Sequence, residues 1–432
     1  MGILASMYYE GRFLMKPRKT IPKAKGIDNT IRLLKEGYPF IQNQMKTLQT
    51  DIFQTRLMGQ KVICITGKRA AQLFYHPDYF IRHGANPKRI QKTLFGVNAI
   101  QNMDGIAHQH RKALFLSLLT PEQATDLKKI LRRNYRSSLS KWIKQDTICL
   151  FDESATLLCK SACEWCGFSI TQKEARMRGE QFMTMVYAIG QVGPNYWKGK
   201  FARKSCEQWI ETIIKEIRNG ERNAPKDTPL YQFSFYEELN QKPLSNRKAA
   251  VELINVIRPI VAISIYIVFA ALALHDNPKT IPLLKDPNDP YYDMFVQEVR
   301  RFYPVGPFLG ARAKKNFTWR GYAFKRGTLV FLDVYGIHND PTLWKSPTVF
   351  SPEHFKDWDH DPYKLLAQGG GDLAMGHRCP GELITLKLMK ESIDFLVNEI
   401  EYTVPAQNLS YSLTKIPTRP QSGFLMKIVE KK

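Results

Sequence analysis

The stretch from Ser245 to His275 constrains this chain most. It reads as one helix of about 30 residues, hence roughly 45 Å long, enough to cross a whole domain and force the other elements to pack around it. Its apolar run, Ile260 to Leu274, counts 15 residues, short of the 18 or more that a spanning helix needs. A core helix is therefore expected, and no transmembrane segment. Pro259 sits in its middle, where it lacks an N–H and leaves the carbonyl of Asn255 without its usual partner, so a local distortion is predicted.

Arg258 directly precedes that proline on an otherwise apolar helix. An isolated buried charge costs several kcal/mol, so the guanidinium must be paired or must line a polar cavity. Two arrangements satisfy it: a salt bridge to a nearby Asp or Glu, or a two-pronged grip on a ligand carboxylate, which suits the guanidinium fork.

A second stretch, Gln368 to Glu382, reads Gln-Gly-Gly-Gly-Asp-Leu-Ala-Met-Gly-His-Arg-Cys-Pro-Gly-Glu. Glycines let backbone approach a large flat ligand where a Cβ would collide. The apolar periodic segment Ile384 to Ile400 predicts a helix whose first N–H groups point towards whatever Cys379 holds. With His377 and Arg378 beside it, the thiol is expected to have a depressed pKa and to be able to ligate iron. Taken alone, a Gly-x-x-Cys-x-Gly pattern equally suits a buried structural cysteine.

Upstream lie Glu298-Val-Arg-Arg301, a Glu-x-x-Arg pair one helical turn apart, then Phe302-Tyr-Pro304 and Ser351-Pro-Glu-His-Phe355. In this order, with the cysteine loop, they resemble the haem-thiolate enzymes of the cytochrome P-450 superfamily. Most members place a Phe seven residues before the cysteine and an Arg two before it. This chain has Asp372 and His377 there, and its Gly-Gly-Gly-Asp loop ending in Gly-His-Arg-Cys is similar to the bacterial fatty-acid peroxygenases, closest to the β-hydroxylating type. The similarity runs from about Lys25 onward.

The resemblance implies a mainly α fold, a large helical domain with a small β-rich region, and one haem b whose iron is bound by Cys379. Reductase-dependent members usually carry an acid-alcohol pair at the kink of the long helix, whereas Arg258-Pro259 matches the peroxygenases. It further implies hydrogen peroxide as oxidant and a fatty acid as substrate, with its carboxylate held by Arg258 and no redox partner required. Arginine does not deprotonate, so the carboxylate would itself take the proton from peroxide and return it. Pinned at that end, the acid presents its α or β carbon. Gln101, in Asn98-Ala-Ile-Gln-Asn-Met-Asp-Gly105, matches the position where decarboxylating relatives carry His and β-hydroxylating ones Gln. The implied product is therefore mainly 3-hydroxy acid, with some 2-hydroxy acid and minor decarboxylation to terminal alkene.

By the same resemblance, Arg258, Pro259 and Gln101 are catalytic and Phe95 and Phe308 line the substrate channel. His108 and Lys112 lie on the helix that contacts the haem propionates. Glu298 and Arg301 are a structural ion pair. His354 stands where an Arg is usual, which predicts a weaker or pH-sensitive network. Two rival functions are a monooxygenase fed by a ferredoxin-like or flavin partner, and a non-catalytic haem or fatty-acid carrier.

Composition narrows the partners. The formal net charge is +23, but the basic residues are scattered and no nucleic-acid motif occurs, so nucleic acid is not expected. The charge is compatible with peripheral contact with an anionic membrane surface. Seven cysteines, irregularly spaced and odd in number, imply a reducing, cytoplasmic setting. Cys159, Cys163 and Cys166 lack a fourth ligand and read as small buried hydrophobes.

Residues 1–25 read as a basic, flexible leader with a bare myristoylation pattern, Met1-Gly2-x-x-x-Ser6, and without a signal peptide; residues 26–432 read as one domain. Within it we expect a helix over Asp28–Glu36, strands over Lys61–Thr66 and Thr328–Val334, and a hairpin of Phe317–Trp319 with Tyr322–Phe324. Thr120-Pro121 begins a helix, and 223–229 form a surface loop.

Overall fold

The computed structural model describes residues 19–432. The myristoylation pattern and most of the predicted leader lie outside the described residues. From Lys19 onward the leader is not loose. The Lys19 N–H donates to the Gly321 carbonyl at 3.1 Å and the Ala24 N–H to that of Gln54 at 3.0 Å, which ties this backbone to neighbouring strands.

The long helix spans Asn246–Asp276 and begins at Ser245, whose hydroxyl accepts the Lys248 N–H at 3.3 Å, a side-chain cap. Pro259 lies inside it and the helix continues past it. Among the described residues it is the one helix long and apolar enough to cross a membrane. Residues on all its faces are buried, as a helix apolar all round requires. Helices Leu150–Trp165, Pro194–Arg218 and Glu382–Asp394 pack against it.

Among the described residues the β structure is divided among three sheets. The largest orders its strands Ile52–Leu57, Gln60–Ile65, Leu329–Asp333, Phe308–Ala313, Phe80–Ile81. The predicted strands over Lys61–Thr66 and Thr328–Val334 sit side by side and parallel in it. Ile52–Leu57, not anticipated, joins its partner through Met58-Gly59, both at positive φ, the tight two-residue connection of a hairpin. Phe317–Trp319 and Tyr322–Phe324 pair as expected.

The helical segment after the cysteine ends within one residue of the expected Ile400. It runs Glu382–Asp394, widens through Phe395–Glu399 and gives way to the strand Ile400–Thr403. There Ile400-Glu-Tyr-Thr403 finds a partner in Leu425–Lys431, so long-range pairing overrides local apolar periodicity.

Candidate active site

Glycines shape the cysteine loop for a specific reason. A Cβ on Gly370 would lie 2.3 Å from the Pro362 carbonyl oxygen and 2.6 Å from Leu366 Cδ2. Gly371 adopts φ +74° against the Tyr75 ring, a conformation that side chains disfavour. Cys379 is fixed at the loop's end, its N–H donating to the Gln368 carbonyl at 3.0 Å. The Gln368 side chain donates to Cys379 Sγ at 3.8 Å and to Thr385 Oγ1 at 2.9 Å. Arg300 holds that amide and Glu382, at 2.9 and 2.5 Å.

The depressed thiol pKa expected from sequence is not found. Burial pushes the Cys379 thiol up, and the Gly381 N–H, Lys112 and Arg300, which lower it, do not offset that. Loss of solvent outweighs nearby positive charge when no cation touches the sulfur. Coordination to iron would remove the proton outright.

Beside the loop lies a basic wall. His108 and His377 stack with ring centroids 4.1 Å apart. His377 Nε2 is 3.4 Å from Asp104 Oδ1, and Asp104 accepts the N–H groups of Arg82 and His83 at 2.8 and 2.7 Å. Lys112, four residues after His108, donates to the carbonyls of Gly376 and Arg378, the latter at 2.8 Å. Burial first, then neighbouring cations, push His108 down to about 3. Burial likewise lowers Lys112 to about 8. Arg82, under-read in the sequence because nothing local marks it, is buried with Nη1 unpaired. A thiol in a glycine cradle, beside buried cations with spare hydrogen-bonding capacity, fits an anionic planar cofactor such as haem.

Arg258 is buried in the long helix, and among the described residues no carboxylate forms an ion pair with it. Its Nη2 donates to Asn255 Oδ1 at 3.4 Å and its Nε has no partner. The Phe95 ring centre lies 5.9 Å from the guanidinium carbon. Burial and the charge of Arg203 press this guanidinium down to about 9, the mark of a cation that nothing compensates. Of the two arrangements open from sequence, the salt bridge is not the one observed.

The nearest acid on that helix face is already engaged. Glu252 Oε1 accepts the Ile100 N–H at 3.0 Å and Arg111 Nη1 at 2.8 Å. Asn255 Nδ2 donates to the Phe95 carbonyl at 2.9 Å. These bonds fasten the segment carrying Phe95 and Gln101 to the long helix. Gln101 Oε1 is buried without a partner. Glu252 and Asn255 were missed, although Asn255, three residues before Arg258 on an apolar helix, shares its face, and Glu252, three before Asn255, shares that of Asn255. Phe308 stacks on Phe331, centroids 4.4 Å apart, within a separate apolar cluster. Pro259, beside Arg258, is only half-buried.

Comparison with known proteins decides the family. A sequence model described as cytochrome P-450 matches residues 279–410. The structure of cytochrome P-450EX alpha with myristic acid superimposes with a TM-score of 0.92 at 39% identity, covering 96% of this chain and 100% of that one. The chain belongs to the cytochrome P-450 superfamily, in its fatty-acid peroxygenase branch. A variant of cytochrome P-450 OleT in complex with arachidonic acid gives a TM-score of 0.93 at 36% identity, covering 96% and 99% of the two chains. Among curated relatives, demethylepipodophyllotoxin synthase of Sinopodophyllum hexandrum is 30% identical over 132 residues, 29% of this chain and 24% of that protein. The chain thus spans about a quarter of the length of the curated relatives it matches. Cytochrome P-450 proteins are haem-thiolate oxidoreductases, and this chain is one.

Proposed function

We propose that this cytochrome P-450 uses hydrogen peroxide to hydroxylate fatty acids at the α or β carbon, mainly β, with minor decarboxylation to terminal alkenes. The observation that carries the reading is the buried Arg258 guanidinium, without a carboxylate and with an orphaned Nε. Such a group is stable if a ligand brings the anion, because a two-pronged, charge-assisted pair offsets its desolvation. The solved relatives with myristic and arachidonic acid are consistent with a fatty acid in that role.

Cys379 would hold the haem iron, and Lys112, His108 and Arg82 would face its propionates; bound there, haem would activate the peroxide, which brings the oxidising equivalent. The chain's own residues do the rest. Arg258 fixes the acid by its head, so the carbons next to the carboxyl group face the reaction. Because arginine keeps its protons, the base for peroxide would be the substrate carboxylate that Arg258 holds. Gln101, a neutral amide, can hold a water or the carboxyl group but cannot deliver a proton as imidazolium does. Phe95 closes the apolar side of Arg258 and excludes water.

With peroxide as oxidant, no redox partner is needed. Seven free cysteines among the described residues favour a reducing, cytoplasmic setting. Mass spectrometry of products from a mid-length saturated acid tests the proposal. Hydroxy acid formed with peroxide alone is expected. Product only with NAD(P)H and a reductase would favour the monooxygenase, and fatty acid bound without product would favour a carrier.

A further inference from the structure

A cleft of about 460 Å³ opens between the helix Pro194–Arg218, the segment around 91–98 and the start of the long helix. Six cations line it: Lys92, Lys200, Arg203, Lys204, Arg247 and Lys248. Glu207 is the one acid in its wall, and both its oxygens are taken, by Arg203 Nε at 2.6 Å and Arg247 Nη2 at 3.3 Å. Arg203 is 2% exposed; its Nη1 donates to the Leu94 carbonyl at 2.7 Å and its Nη2 has no partner. A concavity lined by one sign of charge focuses field and concentrates counter-ions.

Arg258 is not among the residues that line this cleft. Phe95 turns its ring to Arg258, while at the next residue, Gly96, a Cβ would sit 2.5 Å from Arg203 Nη2.

We propose that the cleft binds a phosphate-type oxyanion. A doubly charged, many-oxygened group matches several converging lysines and arginines better than a single carboxylate does. Lys92, Lys204 and Arg247 are exposed and can reach it, while the buried Arg203 adds a fixed positive field from behind. The same helix carries exposed Trp197 and Phe201, with Lys200 Nζ 4.8 Å from the Trp197 ring centre. Aromatics beside lysines suit the headgroup layer of a bilayer, so the phosphate can be free or part of a lipid.

The haem-loaded full chain tests both sources. Inorganic phosphate is titrated by calorimetry at low salt, and vesicles of phosphatidylglycerol are compared with vesicles of phosphatidylcholine by co-sedimentation. The double variant Lys92→Gln, Lys204→Gln removes two exposed cleft charges; Lys325→Gln, Arg326→Gln removes two exposed charges elsewhere. The cleft variant should lose about tenfold or more in affinity and the control less than about twofold. Loss confined to the phosphate titration assigns a free anion, and loss confined to anionic vesicles assigns a headgroup. Equal loss in both variants, or no binding in either arm, overturns the site.

Discussion

Arg258 and Asn255 stand one helical turn apart, and the arginine donates to the asparagine oxygen at 3.4 Å while its Nε stays unpaired. A guanidinium with five N–H groups is thus left with most of them for a ligand. Arg258→Ala should reduce fatty-acid turnover about 100-fold or more, the scale of a lost charge-assisted pair. Haem content should be unchanged, because the Arg258 side chain hydrogen-bonds to Asn255 and not to the cysteine loop. Wild-type turnover in this variant would remove the carboxylate anchor.

Gln101 has a buried amide oxygen without a partner and lies on the segment that the Ile100–Glu252 bond fastens to the long helix. Gln101→His would put a titratable donor in its place. The expected outcome is a higher ratio of terminal alkene to 3-hydroxy acid, read by gas chromatography of the same peroxide reaction. An unchanged ratio would strip the position of any role in product choice.

Part of this site was legible in the sequence because chemistry and local pattern coincide there. Cys379 ends a glycine loop, and Arg258 is a charge on an apolar helix; each breaks its local rule visibly. The partners that position them are less visible. Arg82 meets its surroundings only through the fold, and Arg111 reaches Glu252 across 141 residues of chain. The thiol pKa was misjudged for a related reason: neighbours in sequence are seen, but depth of burial is not. The same limit left the strand Ile400–Thr403 unanticipated, since its partner Leu425–Lys431 lies beyond local periodicity.

Gly370 tests whether the cradle must stay bare. A methyl there would meet the Pro362 carbonyl oxygen and Leu366 Cδ2, and overpacking of this kind costs about 1–3 kcal/mol. Gly370→Ala should lower the thermal midpoint and weaken haem retention, measured by haem absorbance after gel filtration. Full haem occupancy at wild-type stability would mean that the loop relaxes freely.

The second test of the scaffold concerns His354, where both ring nitrogens face acceptors. Nδ1 lies 3.2 Å from Glu298 Oε1, and Nε2 meets the Lys345 carbonyl. A neutral imidazole can donate from only one nitrogen, so the pair favours imidazolium, and the Glu298 bond raises the His354 pKa above its usual value. A raised histidine stabilises the fold fully below the unfolded value of about 6.5 and loses that contribution as pH climbs through the folded value. Glu298 itself stays satisfied by Arg301 at 2.6 Å and by the Ser351 N–H at 2.8 Å, so the loss weakens the network without breaking it. Between pH 6 and pH 8 the wild-type melting temperature should therefore fall by about 2 °C relative to that of His354→Arg, whose guanidinium keeps its charge throughout. Calorimetric scans of both proteins at the two pH values decide it, and parallel pH profiles would show that folding leaves the His354 pKa unshifted.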